Sequence, residues 1–241
     1  KNILTIGATQ RDGSVASFSA RGPVKDGRIK PELMADGATT VSTIPDDTYS
    51  TSNGTSMSAP AIAGGLALLY QRYRQMHGGA DPENALMKAL VMNGGSDIEN
   101  SGPDFKTGFG RMNLLRSVDM LNNNRYFSSG INNGENNIHT ISIPSGTALL
   151  KVMLYWNDPA ATVYASQTLV NDLDLDLTTP ASVKLFPYKL DTLPSNVNST
   201  ATTGADHINN VEQIVITNPG SGTYSLTVKG FNIPKGPQKY F

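Results

Sequence analysis

Apolar and polar positions alternate along this chain in two different rhythms. Residues 1–9 (KNILTIGAT) read as a strand, and KPELMADG at 30–37 leads into a second short strand at 39–44. The apolar spacing of Ile62, Leu66 and Leu69 then predicts a helix from about Ser56 to Met76. Residues 82–95 predict another, with Asp81 as N-cap, Pro82 at the first helical position and Gly94 near the stop. Strands alternating with helices in this way argue for an α/β layer with a parallel sheet.

Beyond Leu121 the rhythm changes. Asn122 to Asn124 and the stretch 128–137 are turn-formers with few apolar anchors, which places a boundary between a first domain, 1–124, and a second, 125–241. The second carries strand signals at 138–143, 148–156, 168–179, 211–217 and 223–231, several closing on Pro or Gly turns, the pattern of an antiparallel sandwich. Residues 190–206, rich in Thr, Ser and Asn, read as a long surface loop. No internal repeat recurs at a fixed period.

Composition narrows the function classes. A net charge of -1 gives no positive field for nucleic acid or anionic lipid. With zero Cys there is no disulfide framework, thiol nucleophile or cysteine zinc site. The longest helix-like apolar run, 61–70, is far short of the roughly 20 residues of a membrane span. Charged residues make up only 16% while Ser, Thr, Asn and Gly abound, a leaning toward extracellular β-rich modules. The chain opens at Lys1 without an initiator Met or the pattern of a signal peptide, and reads as a processed or excised product.

The segment NGTSMSAP, Asn53 to Pro60, carries the candidate chemistry. A serine hydroxyl is a poor nucleophile unless a base takes its proton and donors stabilise the oxyanion. Ser56 stands where a turn containing Gly54 meets a helix start, so free backbone N–H groups and the positive end of the helix dipole face it. Pro60 is expected in the first turn, where a missing N–H costs nothing. The plainer alternative is that Gly-Thr-Ser is only a helix cap.

NGTSMSAP followed by AIAGGLALL resembles the serine block of the subtilases. FSARGP (18–23), KALVMNGG and GFGRMNL resemble further segments of that family's catalytic domain, while LYWND, LVNDLDLDL, NNVEQ, SGTYSLTV and NIPKGPQ are similar to the β-barrel domain of its oxidatively stable alkaline protease branch. The resemblance implies a fold in which the closing half of a subtilisin-like parallel-sheet domain precedes an all-β, jelly-roll-like sandwich. It implies a secreted serine endopeptidase acting on polypeptides through an acyl-enzyme on Ser56, with Asn53, Gly54 and Thr55 on the substrate side of the serine loop. One departure is Asp36, where the resemblance leads to an expected proline before Gly37.

A subtilisin-type triad runs Asp, His, Ser along the chain, yet His77, His139 and His207 all follow Ser56. The base, the acid and the oxyanion asparagine are therefore expected on a preceding segment, leaving these residues inactive alone and half a sheet in need of a companion. In NDLDLDLT, Leu173, Leu175 and Leu177 alternate with Asp172, Asp174 and Asp176, so a strand puts the leucines on one face and three carboxylates, about 6.8 Å apart, on the other. That face is either solvated or holds a hard cation such as structural calcium, with Asn171, Asp158 or Glu212 as further oxygen donors; related β domains often bind calcium. Trp156 and Tyr155 read as core. The rival reading is a non-catalytic, degenerate subtilase whose β domain binds a protein or glycan surface.

Overall fold

In the computed structural model, which describes residues 1–241, strand β1 (Ile6–Thr9) lies parallel to β2 (Leu33–Asp36), with Ile6 opposite Leu33 and Thr9 opposite Asp36. Ala8, Leu33 and Met34 on this pair are completely buried. The strand signal at 39–44 becomes β3 (Thr40–Ile44), but it forms an exposed antiparallel hairpin with β4 (Thr48–Ser52) instead of joining the parallel pair. Asp46 and Asp47 close that hairpin at positive φ, a conformation short polar side chains tolerate.

Three helices follow: α1 (Thr55–Met76), α2 (Asn84–Gly94) and α3 (Leu114–Asn122). The helix expected over 82–95 starts two residues later, because Glu83 is extended and becomes the N-cap. Asp81 does not cap it; its carboxylate pairs with Arg74 at 2.5 Å. Sequence patterning missed α3, a nine-residue helix that buries Ser117 and Leu121. Its start is marked by Asn113, whose side chain accepts the Arg116 N–H at 3.2 Å. These elements form one compact unit, Ile3–Asn124 with Thr192–Thr200.

The other unit comprises Lys1–Asn2, Arg125–Asp191 and Ala201–Phe241. Its strands are β5 (Ser129–Ile131), β6 (Asn136–Ile143), β7 (Leu149–Tyr155), β8 (Asp172–Thr178), β9 (Lys184–Leu185), β10 (Tyr188–Lys189), β11 (Thr202–Thr203), β12 (Val211–Thr217), β13 (Gly222–Asn232) and β14 (Gln238–Tyr240). All pair antiparallel: a four-stranded sheet in the order β6-β13-β8-β9, and the pairs β12-β7, β14-β5 and β10-β11. Along β13, Tyr224, Leu226 and Val228 point inward at every second position, as a half-buried strand requires. They meet Leu173, Leu175, Leu177, Ile214 and Trp156 in one core. Trp156 is wholly buried, and its indole N–H donates to the Asn171 carbonyl at 2.9 Å. The loop signal at 190–206 is broken by β11, which pairs with β10.

Candidate active site and carboxylate cluster

The turn that carries Ser56 is tied to the end of the parallel pair. The Gly37 N–H donates to the Thr9 carbonyl at 3.0 Å, and the Gly54 N–H donates to the Gly37 carbonyl at 2.7 Å. Asn53 Oδ1 accepts the Thr39 N–H at 2.6 Å, so this side chain fixes the turn from the other side. Both glycines are required. Gly54 takes φ 150 and ψ 159, a region a Cβ disfavours. A Cβ on Gly37 would lie 2.2 Å from Ser58 Oγ and 2.7 Å from the Gly54 carbonyl oxygen. The same close packing buries Ser58 Oγ without a hydrogen-bond partner.

Helix α1 begins at Thr55, with Gly54 as N-cap and no side-chain cap. The hydroxyls of Thr55 and Ser56 therefore do not cap the helix, which removes the plainer reading of the Gly-Thr-Ser sequence. Ser56 is exposed at the first turn, with uncapped backbone N–H groups and the positive dipole end beside it. Pro60 is the sixth helical residue, in the second turn and not the first. Its missing N–H leaves the Ser56 carbonyl without its i+4 partner. Asp36, where a proline was expected, accepts Thr9 Oγ1 at 3.0 Å and Arg111 Nη2 at 2.9 Å, so it anchors the strand end electrostatically.

None of the three histidines is bonded to Ser56. His77 is the C-cap of α1, about 30 Å along the helix from Ser56 at 1.5 Å per residue, with Nδ1 2.8 Å from the Tyr73 carbonyl. His139 places Nε2 2.9 Å from the Tyr240 hydroxyl, and its ring stacks on Phe127. His207 places Nδ1 2.8 Å from Asp172 Oδ2.

Strand β8 puts Leu173, Leu175 and Leu177 in the core, as alternation dictates, but its acidic face is not solvated. Asp172 is 7% exposed and Asp176 1%. The three carboxylates part company. Asp176 Oδ2 lies 3.1 Å from Lys184 Nζ and 2.9 Å from Lys229 Nζ. Burial opposes its ionisation, yet the two lysines together hold its carboxyl below the usual range. Asp172 and Asp174 instead converge on His207, their ligand atoms all lying within 4.8 Å of one another. Burial pushes Asp172 up to about 6, with His207 opposing and Asp174 adding to the rise, and burial likewise raises Asp174.

Glu212, whose Oε2 accepts the Leu175 N–H at 2.6 Å, is raised well above the ordinary range by burial, aided by Asp206, Asp174 and Asp172. Of the other oxygen donors considered, Asp158 binds the Val170 and Asn171 N–H groups at 2.9 and 2.7 Å, and Asn171 bonds to Lys235 and Gln238. Sequence reasoning missed His207 as a member of this cluster because it lies in a loop 35 residues away; the signal for it exists only in three dimensions.

A model of the subtilase family, peptidase S8, matches residues 1–110. Over 92% of its length the chain is 29% identical to the serine protease/ABC transporter B family protein tagA of Dictyostelium discoideum, of which it covers 15%. Over 30% of its length it is 38% identical to subtilisin DY of Bacillus licheniformis, covering 24% of that protein. The crystal structure of a lanthipeptide protease superposes on 49% of this chain and 41% of its own, with a TM-score of 0.44 and 21% identity. The chain thus spans less than a quarter of the length of these two curated relatives. Ser56 thus lies within the stretch that the subtilase family model matches.

Proposed function

We propose that this chain supplies the nucleophile of a secreted serine endopeptidase, Ser56, whose general base, orienting acid and oxyanion asparagine come from a preceding segment. The observation that carries this reading is an exposed serine at the uncapped N-terminus of a long helix, inside the stretch that matches the subtilases. In the reaction a histidine from the companion segment takes the hydroxyl proton, Ser56 Oγ attacks the peptide carbonyl, and the Ser56 N–H shares the oxyanion with the companion's asparagine. Asn53, Gly54 and Thr55 shape the substrate side of the turn. Without the companion the chain hydrolyses no peptide at a measurable rate, since loss of triad members removes several orders of magnitude of activity.

The surface of α1 supports the companion. Ser58, Ile62, Gly65 and Leu69 are buried, but the opposite side, through Ala59, Ala63, Gly64, Ala67 and Leu68, is exposed and apolar. A helix apolar on both sides is normally enclosed. Val41 and Tyr49 on the β3-β4 hairpin are likewise 64% and 72% exposed. In this reading residues 1–124 are the closing half of the parallel-sheet catalytic domain. Residues 125–241 are a jelly-roll-like domain that stabilises it or orients polypeptide substrates.

The test is reconstitution: the companion segment added to this chain restores peptide hydrolysis, and Ser56→Ala abolishes it without changing association. Association without hydrolysis by the native pair would refute the assignment of Ser56.

A further inference from the structure

The cluster on β8 has no counterpart in the serine chemistry, and its geometry is unusual for a structural ion pair. Asp172 Oδ1, Asp174 Oδ1, Asp176 Oδ1 and Glu212 Oε1 are all buried without a hydrogen-bond partner. Glu212 is 1% exposed, and its Oε2 accepts the N–H of Leu175, the residue next to Asp174 on β8. A buried polar atom left unsatisfied is costly, more so when charged, so orphaned carboxylate oxygens gathered on one strand face point to a cation as their partner. Asp206 is not short of partners: it binds the Ile208 and Asn209 N–H groups and the Asn209 amide at 2.9, 3.3 and 2.8 Å, which fixes the turn that presents His207.

Two further features hold the imidazole. The register of β13 against β8 skips Phe231, since Gly230 faces Leu173 and Asn232 faces Asp172. That bulge turns the Phe231 ring onto His207, stacked at 4.3 Å and 20°. The imidazole Nδ1 then lies 2.8 Å from Asp172 Oδ2 and 3.7 Å from Asp174 Oδ1. These separations bracket the edge of about 3.3 Å expected for a tetrahedron of N and O ligands around an ion at 2.0–2.1 Å.

We infer that Asp172, Asp174 and His207 bind a divalent ion of the zinc class, His207 Nδ1 serving as the nitrogen ligand. Calcium, the ion expected for an all-aspartate face, takes six to eight oxygens and no imidazole, and the third aspartate of that face is drawn off by Lys184 and Lys229. Imidazole with carboxylates suits zinc and its neighbours among the transition metals. Binding replaces the contact between Nδ1 and Asp172 Oδ2 with two bonds to the metal. The stacked Phe231 ring restrains rotation of the imidazole. The inference does not depend on the role of Ser56.

The experiment is equilibrium binding of zinc chloride to the chelator-treated chain, with the zinc environment read by X-ray absorption. The expected result is one zinc per chain with an imidazole signature, undisplaced by a hundredfold excess of calcium chloride. His207→Gln and Asp174→Asn are each expected to weaken binding at least tenfold while keeping a cooperative melting transition. Should His207→Gln fail to fold, Asp174→Asn and the absorption spectrum of the native chain decide the matter alone. Absence of stoichiometric zinc, unchanged affinity and imidazole signature in His207→Gln, or displacement by calcium at equal concentration would each overturn the inference.

Discussion

At the scale of single residues, the serine turn rests on two glycines that nothing else can replace. Gly54 at φ 150 predicts that Gly54→Ala costs about 1–3 kcal/mol of stability and misplaces Ser56, read by thermal melting and by loss of reactivity in the reconstituted protein. A histidine outside both sites supplies the pH dependence. Burial lowers the pKa of His139 below the ordinary histidine value of about 6.5. The unfolded chain therefore holds more protons than the folded one as pH falls through 6.5, and stability drops with it until the folded group also titrates. His139→Gln, which cannot charge, should flatten the fall in melting temperature as the pH drops below about 6.5; an unchanged acid slope would count against this. The turn and helix start around Ser56 were legible at this scale because eight consecutive residues encode the two together. Asp36 was not, because its reason is Arg111, 75 residues away.

At the scale of elements, helix α1 is the informative one. Its two sides make opposite predictions for adjacent leucines. Leu69 is fully buried, so Leu69→Ala should cost about 2–5 kcal/mol through the cavity it leaves. Leu68 is 58% exposed, so Leu68→Ala should leave the stability of the chain alone within about 0.5 kcal/mol yet weaken association with the companion segment. Denaturant melts and binding titrations on the two variants separate these effects. Strand β12 was readable to the residue, since β-branched residues cluster there between clear turn signals, and α1 to within one. Strand β2 and helix α3 were less visible, being four and nine residues long with only brief patterns to betray them. The hairpin β3-β4 shows the limit of propensity: the strand tendency of Thr40–Ile44 is plain, but its partner is set by the turn at Asp46 and Asp47. The acidic face of β8 failed in another way, because alternation tells which side a residue faces but not what covers that side.

At the scale of the whole molecule, one compact unit presents the Ser56 turn and apolar surface, and the other encloses a core with a charged cluster on its central sheet. Both follow from the change of rhythm near Asn124, from helices between short strands to strands between turns. The account stands on Ser56 being the nucleophile of an active site completed by another segment. Labelling with a fluorophosphonate, followed by peptide mass spectrometry, tests this most directly. Label should appear on Ser56 when the companion segment is present and be absent from the chain alone, for an unassisted serine reacts slowly with such reagents. Labelling of Ser56 at the same rate with and without the companion, or no label on Ser56 in a pair that hydrolyses peptides, would contradict it.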